Sequence, residues 1–306
     1  MLSQFLGPIR VVLPIASSEV TEELHIPFIV PAALADNITQ RGFKYTFRTA
    51  SYVSRYVEMQ FKFLRDVVSI PASNFRVAIL HEDTLFGQMA AIAQRRFAKM
   101  YGFPVVADVA YSARQLELRS KLGQLLRAKP YLILLTPYLA DSVAIARQLD
   151  QIAMTPPVVF ATGAGPKDPQ FIPSTGKLSE KWLVMNEWAD EIGFPLAERF
   201  NRKFMRRFGH MPDGITVMNY ASMFVLHEAL MKADVVSRDG VRAALSGICV
   251  TTEPVSALIP TGQISFDQHG QNLYTPIVTQ IIGGKHVAVW PPVIAVRQPV
   301  LEFPRE

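Results

Sequence analysis

The sequence predicts an α/β fold in which parallel strands, joined by helices that cover both faces, build a doubly wound sheet. Three observations predict it. Short apolar runs alternate with longer amphipathic stretches from Phe28 to Phe160. Runs such as "RVAIL", "YLILL" and "PVVFA" are continuously apolar, the texture of strands buried on both sides. Strand and helix patterns succeed each other at regular spacing, which calls for parallel βαβ units of fixed handedness. Ligands in such sheets sit beyond the carboxyl ends of the strands, so the informative residues are those just after each strand.

Taken in order, His25–Val30 reads as a buried strand. Tyr52–Val68 reads as a helix, with Val53, Tyr56, Val57, Phe63, Leu64 and Val67 on its apolar face. Arg76–Leu80 is a strand. Gly87–Tyr101 is a helix whose inner side carries Met89, Ile92, Ala93, Phe97 and Met100, stopped by Gly102. Strands at Val105–Val109, Tyr131–Leu135 and Pro157–Ala161 alternate with helices at Arg114–Ala128 and Ala140–Ala153. The texture changes after Trp182–Met185: helices are expected at Phe194–Phe208, Ile215–Ala233 and Arg238–Ser246. Gly283–Gly284, between two alternating apolar runs, marks a β-hairpin.

The chain has 306 residues, enough for two domains, with 49% hydrophobic and 19% charged residues and a formal net charge of +5. That mild basicity speaks to solubility rather than to a nucleic-acid partner. In "ERFNRKFMRRFGH" (Glu198–His210), Phe200, Phe204 and Phe208 form one inner stripe while the basic residues face outward, the pattern of an amphipathic helix. Cys249 is the sole cysteine, which excludes an internal disulfide or a thiolate cluster. No apolar run reaches the length of a membrane helix. Met1–Ser18 lacks a basic n-region and is interrupted by Arg10, so export would require a leader upstream of Met1.

Signatures of catalysis are missing from the sequence. It has no phosphate loop, no G-x-G-x-x-G after a strand and no G-x-S-x-G elbow, and "GAGPKD" (Gly163–Asp168) matches none of these. His81-Glu82 and His227-Glu228 lack the second histidine of a zinc helix. Glu82 and Asp83 read as adjacent solvated acids in a turn. The expectation is a protein without cofactor or metal and not an enzyme.

Several segments resemble the type I periplasmic solute-binding proteins of branched-chain amino acid and amide ABC transporters. They are Gly7–Ala50 with its Gly-Pro start, "PAA" and "FRTA"; "RVAILHEDTLFGQ" (Arg76–Gln88); Tyr220 within "VMNYASMFVLHEAL"; and above all "GQISFDQHGQN". The resemblance implies two doubly wound lobes joined by a three-strand hinge, with crossings near Thr49–Tyr52, Met185–Trp188 and Asn272–Thr275. The N-terminal lobe would comprise 1–51 and 189–274, the C-terminal lobe 52–188 and 275–296, and 297–306 a tail. Family members carry about two further supersecondary units before the Gly-Pro loop. The first lobe is therefore expected to be incomplete, with unpaired sheet edge and exposed apolar helix surface.

The resemblance also implies a ligand set: Arg10, Ala32, Ala33, Leu34, Phe86, Tyr138, Thr162, Gly163 and Tyr220. It departs from the amino-acid binders at several places. A hydroxyl cluster gives way to Ile9–Val12 with Arg10, a threonine becomes Leu34, and an aromatic hydroxyl is lost at Phe86. Near Thr162–Gly163, where an acid would meet an α-ammonium, there is no carboxylate. A buried ammonium without counter-charge is costly, so a more apolar ligand with an anionic end fits better; short-chain amides, aromatic or aliphatic carboxylates and an atypical amino acid are the candidates. Arg10 reads either as a carboxylate fork or as a surface arginine, and Phe86 and Tyr138 either as pocket walls or as core. The function implied is solute capture for an ABC importer, by a monomer or weak dimer that engages a membrane permease in the periplasm and no nucleic acid. The alternatives are a cytoplasmic amide sensor of the same fold, a non-functional truncated remnant and, last, a small-molecule enzyme.

Overall fold

The computed structural model describes residues 12–112, 115–152, 157–194 and 196–302. The chain divides into two compact units, Met1–Arg55 with Phe194–Pro276 and Tyr56–Gly193 with Ile277–Glu306. It begins with helix α1 (Val12–Glu23), strands β1 (Phe28–Val30) and β2 (Thr46–Arg48), and helix α2 (Val53–Val67). An alternating series follows: β3 (Val77–Glu82), α3 (Leu85–Tyr101), β4 (Val105–Tyr111), α4 (Arg119–Arg127), β5 (Leu132–Thr136), α5 (Leu139–Ile152), β6 (Val158–Ala161), α6 (Phe171–Thr175) and β7 (Leu183–Asn186). Next come α7 (Ala197–Phe208), α8 (Gly214–Lys232), α9 (Arg238–Ser246), β8 (Cys249–Val250), α10 (Val255–Leu258) and β9 (Ile264–Ser265). The hairpin β10 (Ile277–Ile282) and β11 (Lys285–Trp290) completes the series.

The second unit holds a seven-stranded sheet in the order β11-β10-β7-β6-β5-β3-β4. Strands β3 to β7 are parallel, and β10 runs antiparallel to both β7 and β11. The chain adds β4 on one side of β3 and then β5, β6 and β7 on the other. The order therefore reverses between β3 and β5, which opens a crevice at their carboxyl ends. Every residue of β3 and β5 is buried. Ala78, Leu80, Ile133, Leu135, Val159 and Ala161 pack on Leu122, Leu125, Ile145 and Leu149 of α4 and α5. Each large side chain so enclosed contributes about 2 kcal/mol. On the opposite face Phe63 of α2 meets Phe160 edge-on, ring centroids 5.4 Å apart.

The first unit is built differently. β1 pairs in parallel with β2, Phe28 opposite Thr46, in a sheet that has two strands among the described residues. The apolar run at 28–30 thus does not join the large sheet, although the strand-helix alternation read from Phe28 onward placed it in one series with the later strands. Leu13 and Val20 of α1, and Leu24 just after it, are exposed.

Three helices depart from the sequence reading. On α3 the inner face is Phe86, Ala90, Ala93, Gln94 and Phe97, while Ile92 and Met100 are exposed. Small residues let this helix lie close to the sheet and turn those larger ones outward. α4 starts at Arg119, because Gln148 accepts from the Leu118 amide at 2.7 Å just ahead of it. On α7 only Ala197 and Asn201 are buried; Phe200 and Phe204 are half-buried and Phe208 is exposed. Gly102, at φ +78°, closes α3 by donating to carbonyls of its last turn.

Candidate functional site

At the carboxyl ends of β3, β5 and β6 three loops converge. After β3, Thr84 caps α3 by accepting from the Gly87 amide at 3.4 Å, which fixes the buried Phe86 in the first turn. After β5, Tyr138 is half-buried, and its ring lies 6.3 Å from that of Phe86. After β6, the Thr162 amide donates to Leu135 O at 2.8 Å and the Gly165 amide to Pro137 O at 3.2 Å. A Cβ at Gly163 would strike the Pro137 carbonyl, and one at Gly165 would strike Ser142 Oγ and the Tyr138 carbonyl. Glycine is thus what lets the β6 loop lie against the β5 loop. The hydroxyls of Thr136 and Thr162 are buried without a partner. Phe86, Tyr138, Thr162 and Gly163 are therefore gathered at the point where strand order reverses.

Glu82 corrects the sequence reading. Asp83 is exposed as expected, but Glu82 is fully buried at the end of β3. Its Oε1 accepts from Thr84 Oγ1 at 2.5 Å, and its Oε2 has no partner. Burial pushes its carboxyl up to about 7, with the charges of Asp141 and Asp83 adding to the effect and the Thr84 hydrogen bond opposing it. Asp141, at the start of α5, accepts from the Tyr111 hydroxyl; burial raises its carboxyl too and raises the Tyr111 phenol.

A second buried pair joins the "GAGPKD" loop to the end of β7. Lys167 Nζ lies 2.9 and 3.0 Å from the two carboxylate oxygens of Glu187 and 5.4 Å from the Tyr56 ring centroid. The Tyr56 hydroxyl donates to Glu187 as well. His286 lies 3.0 Å from Pro166 O through Nε2, and burial lowers its pKa. Sequence reasoning missed this pair: its members are 20 residues apart and only the fold joins them. A carboxylate does stand beside this loop, but Lys167 already engages it.

In the first unit, Ala32, Ala33 and Leu34 follow β1, and the last two are buried. Arg48 holds the loop. Its guanidinium donates to Ala35 O at 2.6 Å, Ala33 O at 3.3 Å, Thr39 Oγ1 at 3.1 Å and Gln271 Oε1 at 2.6 Å. Burial lowers its pKa to about 10, which leaves it charged at neutral pH. The "FDQHGQN" motif supplies the other side. Gln271 donates to Ala50 O and Asn272 to Thr49 O, each at 2.8 Å. Tyr220 lies on α8, and its ring packs against Phe200 and Phe224, centroids 5.3 and 5.1 Å away. Its place is in that aromatic row, half exposed. Arg10 lies outside the described residues.

What the described residues offer a ligand is aromatic walls and orphan hydroxyls at a switch point; no group of three or more His, Cys, Asp or Glu is placed there to hold a metal. That is the equipment of a small-molecule binding protein with an open parallel α/β unit. A family model described as periplasmic binding protein matches residues 12–285, and the chain belongs to that family. It is 25% identical over 294 residues to the Leu/Ile/Val-binding protein homolog 7 of Brucella abortus, an alignment that covers 93% of this chain and 73% of that one. A putative branched-chain amino acid ABC transporter from Silicibacter pomeroyi superposes with a TM-score of 0.79 at 17% identity, covering 94% of this chain and 78% of that chain. An ABC transporter solute binding protein of R. palustris in complex with benzoate gives 0.75 at 16%, covering 90% and 73%. The fold is thus that of the type I solute-binding proteins.

Proposed function

We propose that this chain captures a small organic molecule for an ABC-type importer, closing its two units around it, and that a membrane permease reads the closed form. The observation that carries the reading is the Phe86–Tyr138 pair beside orphaned Thr136 and Thr162, at the strand-order reversal of a solute-binding fold. The chain passes between the units three times, after Arg55, Gly193 and Pro276, which suits hinged closure. Closure follows only if the ligand binds the closed state better. The ligand is an amide or a carboxylate with an apolar body rather than an α-amino acid, since Glu187, a buried carboxylate beside the β6 loop, is occupied by Lys167. Arg10, Ala32, Ala33, Leu34 and Tyr220 complete the ligand set from the first unit. The working compartment is the periplasm, and the protein acts without catalysis as a monomer or weak dimer.

Thermal shift and titration calorimetry against benzoate, short-chain amides and leucine test this. A ligand at a hundredfold excess over its Kd stabilises by about 2.7 kcal/mol, a shift of several degrees. Benzoate or an amide should give such a shift and leucine little; Phe86→Ala and Tyr138→Ala should each abolish the shift given by the amide and reduce that given by benzoate. A clear shift with leucine alone would overturn the assignment of ligand class. A shift unchanged in both variants would overturn the site.

A further inference from the structure

The first unit carries a cavity of about 330 Å³, far in sequence from the loops after β3, β5 and β6 and lined entirely by first-unit residues. That volume is in the range of small-molecule sites. One wall is Thr46 and Phe47 of β2 with Phe43 before it, a second is Arg242 on α9, and the floor is the turn Asp267–Gly270.

The floor is rigid for reasons visible in its sequence. Asp267 Oδ1 accepts from the amides of His269 at 2.8 Å and Gln271 at 2.9 Å, closing the turn. Gly270 adopts φ +73° and presses on the Thr46 carbonyl, where a Cβ would not fit, while its own carbonyl accepts from the Arg48 amide at 2.7 Å. The aromatic corner is preformed as well, with Phe47 and Phe266 meeting edge-on at 5.2 Å.

The lining carries two cations, Lys44 and Arg242, and one carboxylate, Asp267, while the Glu22 carboxylate outside it accepts from the Lys44 and Tyr45 amides. Lys44 Nζ and the Arg242 guanidinium face no carboxylate within ion-pair distance among the described residues, and Arg242 lies 5.8 Å over the Tyr45 ring. Asp239, one turn earlier on α9, accepts from the Tyr45 hydroxyl. Asp267, the carboxylate in the lining, has one oxygen committed to backbone amides.

We infer that this cavity is a second binding site, for a small organic anion with a flat apolar body. Its acid group would lie between Lys44 and Arg242, and its ring would rest in the Phe47–Phe266 corner. A guanidinium fork beside an ammonium suits a carboxylate or phosphate, and the aromatic corner selects a ring.

Fluorine NMR of para-fluorobenzoate on the intact chain tests it, with benzamide as the neutral counterpart. A Phe86→Ala/Tyr138→Ala variant silences the site proposed at the strand ends, so the two assignments fail separately. In that variant, millimolar para-fluorobenzoate should still broaden and shift. Adding Lys44→Ala/Arg242→Ala should weaken binding about tenfold or more, and raised salt should weaken it too. Benzamide should not compete. Far-UV circular dichroism and melting temperature confirm that the variants are folded. Absence of any binding in the Phe86→Ala/Tyr138→Ala variant would overturn the inference, as would binding that survives Lys44→Ala/Arg242→Ala unchanged.

Discussion

Arg48 shows how much one residue organises in the first unit. Its guanidinium reaches two backbone carbonyls and two side chains, and the residue is 1% exposed. Arg48→Ala takes the donor from Ala33 O and leaves Ala35 O and Gln271 Oε1 with only their weaker ones, the Ile38 amide at 3.2 Å and the Thr39 hydroxyl at 3.1 Å, at a cost of about 3 kcal/mol, readable as a lower urea midpoint. Arg48→Lys should recover only part of this, since an ammonium lacks the planar fork. Glu82 gives the second unit a pH dependence. Its folded pKa is raised, from an ordinary 4.5 to about 7, so the fold favours the protonated form. The stability it contributes is fully present below about pH 4.5 and is lost as pH rises through about 7, a change on the order of 3 kcal/mol at most. Glu82→Gln should flatten this slope in urea titrations at pH 5 and pH 8 while keeping the hydrogen bond from Thr84. An unchanged slope would show that Asp141, also raised, carries it instead. The two residues differ in legibility. Arg48 sits in "FRTA" beside a recognisable motif. Glu82 was read as solvated, because the end of a strand buried on both faces has no alternation to betray a buried acid.

Among elements, the sequence reads best where a local stop or turn is required. Gly102 ends α3 with a left-handed residue, and Gly283–Gly284 joins β10 to β11 at φ +59° and +73°. Reading falters where packing distance decides the face. α3 presents alanines to the sheet, so Ile92 and Met100 lie outside, and α7 leaves Phe208 half exposed. Likewise, the apolar run at β1 carries no local mark that its partner among the described residues is β2. The loop after β6 belongs to the same class, since nothing in "GAGPKD" announces its approach to the β5 loop. Gly165→Ala should force the two loops apart, destabilising the second unit by about 2–4 kcal/mol and weakening ligand capture, whereas Gly123→Ala, on α4 with open space around it, should be neutral or slightly stabilising. Paired melting curves and benzoate titrations separate the two.

For the molecule as a whole, the division into two units makes a claim about cooperativity that three side chains can test. Trp182, Trp188 and Trp290 all belong to the second unit, and all three are buried. Their fluorescence therefore reports that unit alone, while far-UV circular dichroism reports helices of both. Each unit has its own buried side chains: Trp188, Phe160 and Phe171 lie in the second, and Ile38, Phe47 and Val225 in the first. Urea should accordingly unfold them in separable steps, with fluorescence and dichroism midpoints that do not coincide. The proposed capture by both units requires both to be folded, so on that proposal saturating ligand should raise the weaker transition most and draw the midpoints together. The aromatic anion proposed for the cavity beside Lys44 and Arg242 touches the first unit alone and should move only the dichroism transition. Repeating the measurement in Lys44→Ala/Arg242→Ala and in Phe86→Ala/Tyr138→Ala assigns each shift to its site. Coincident midpoints without ligand would show that the units unfold as one, and midpoints that ligand leaves apart would place its contacts within a single unit.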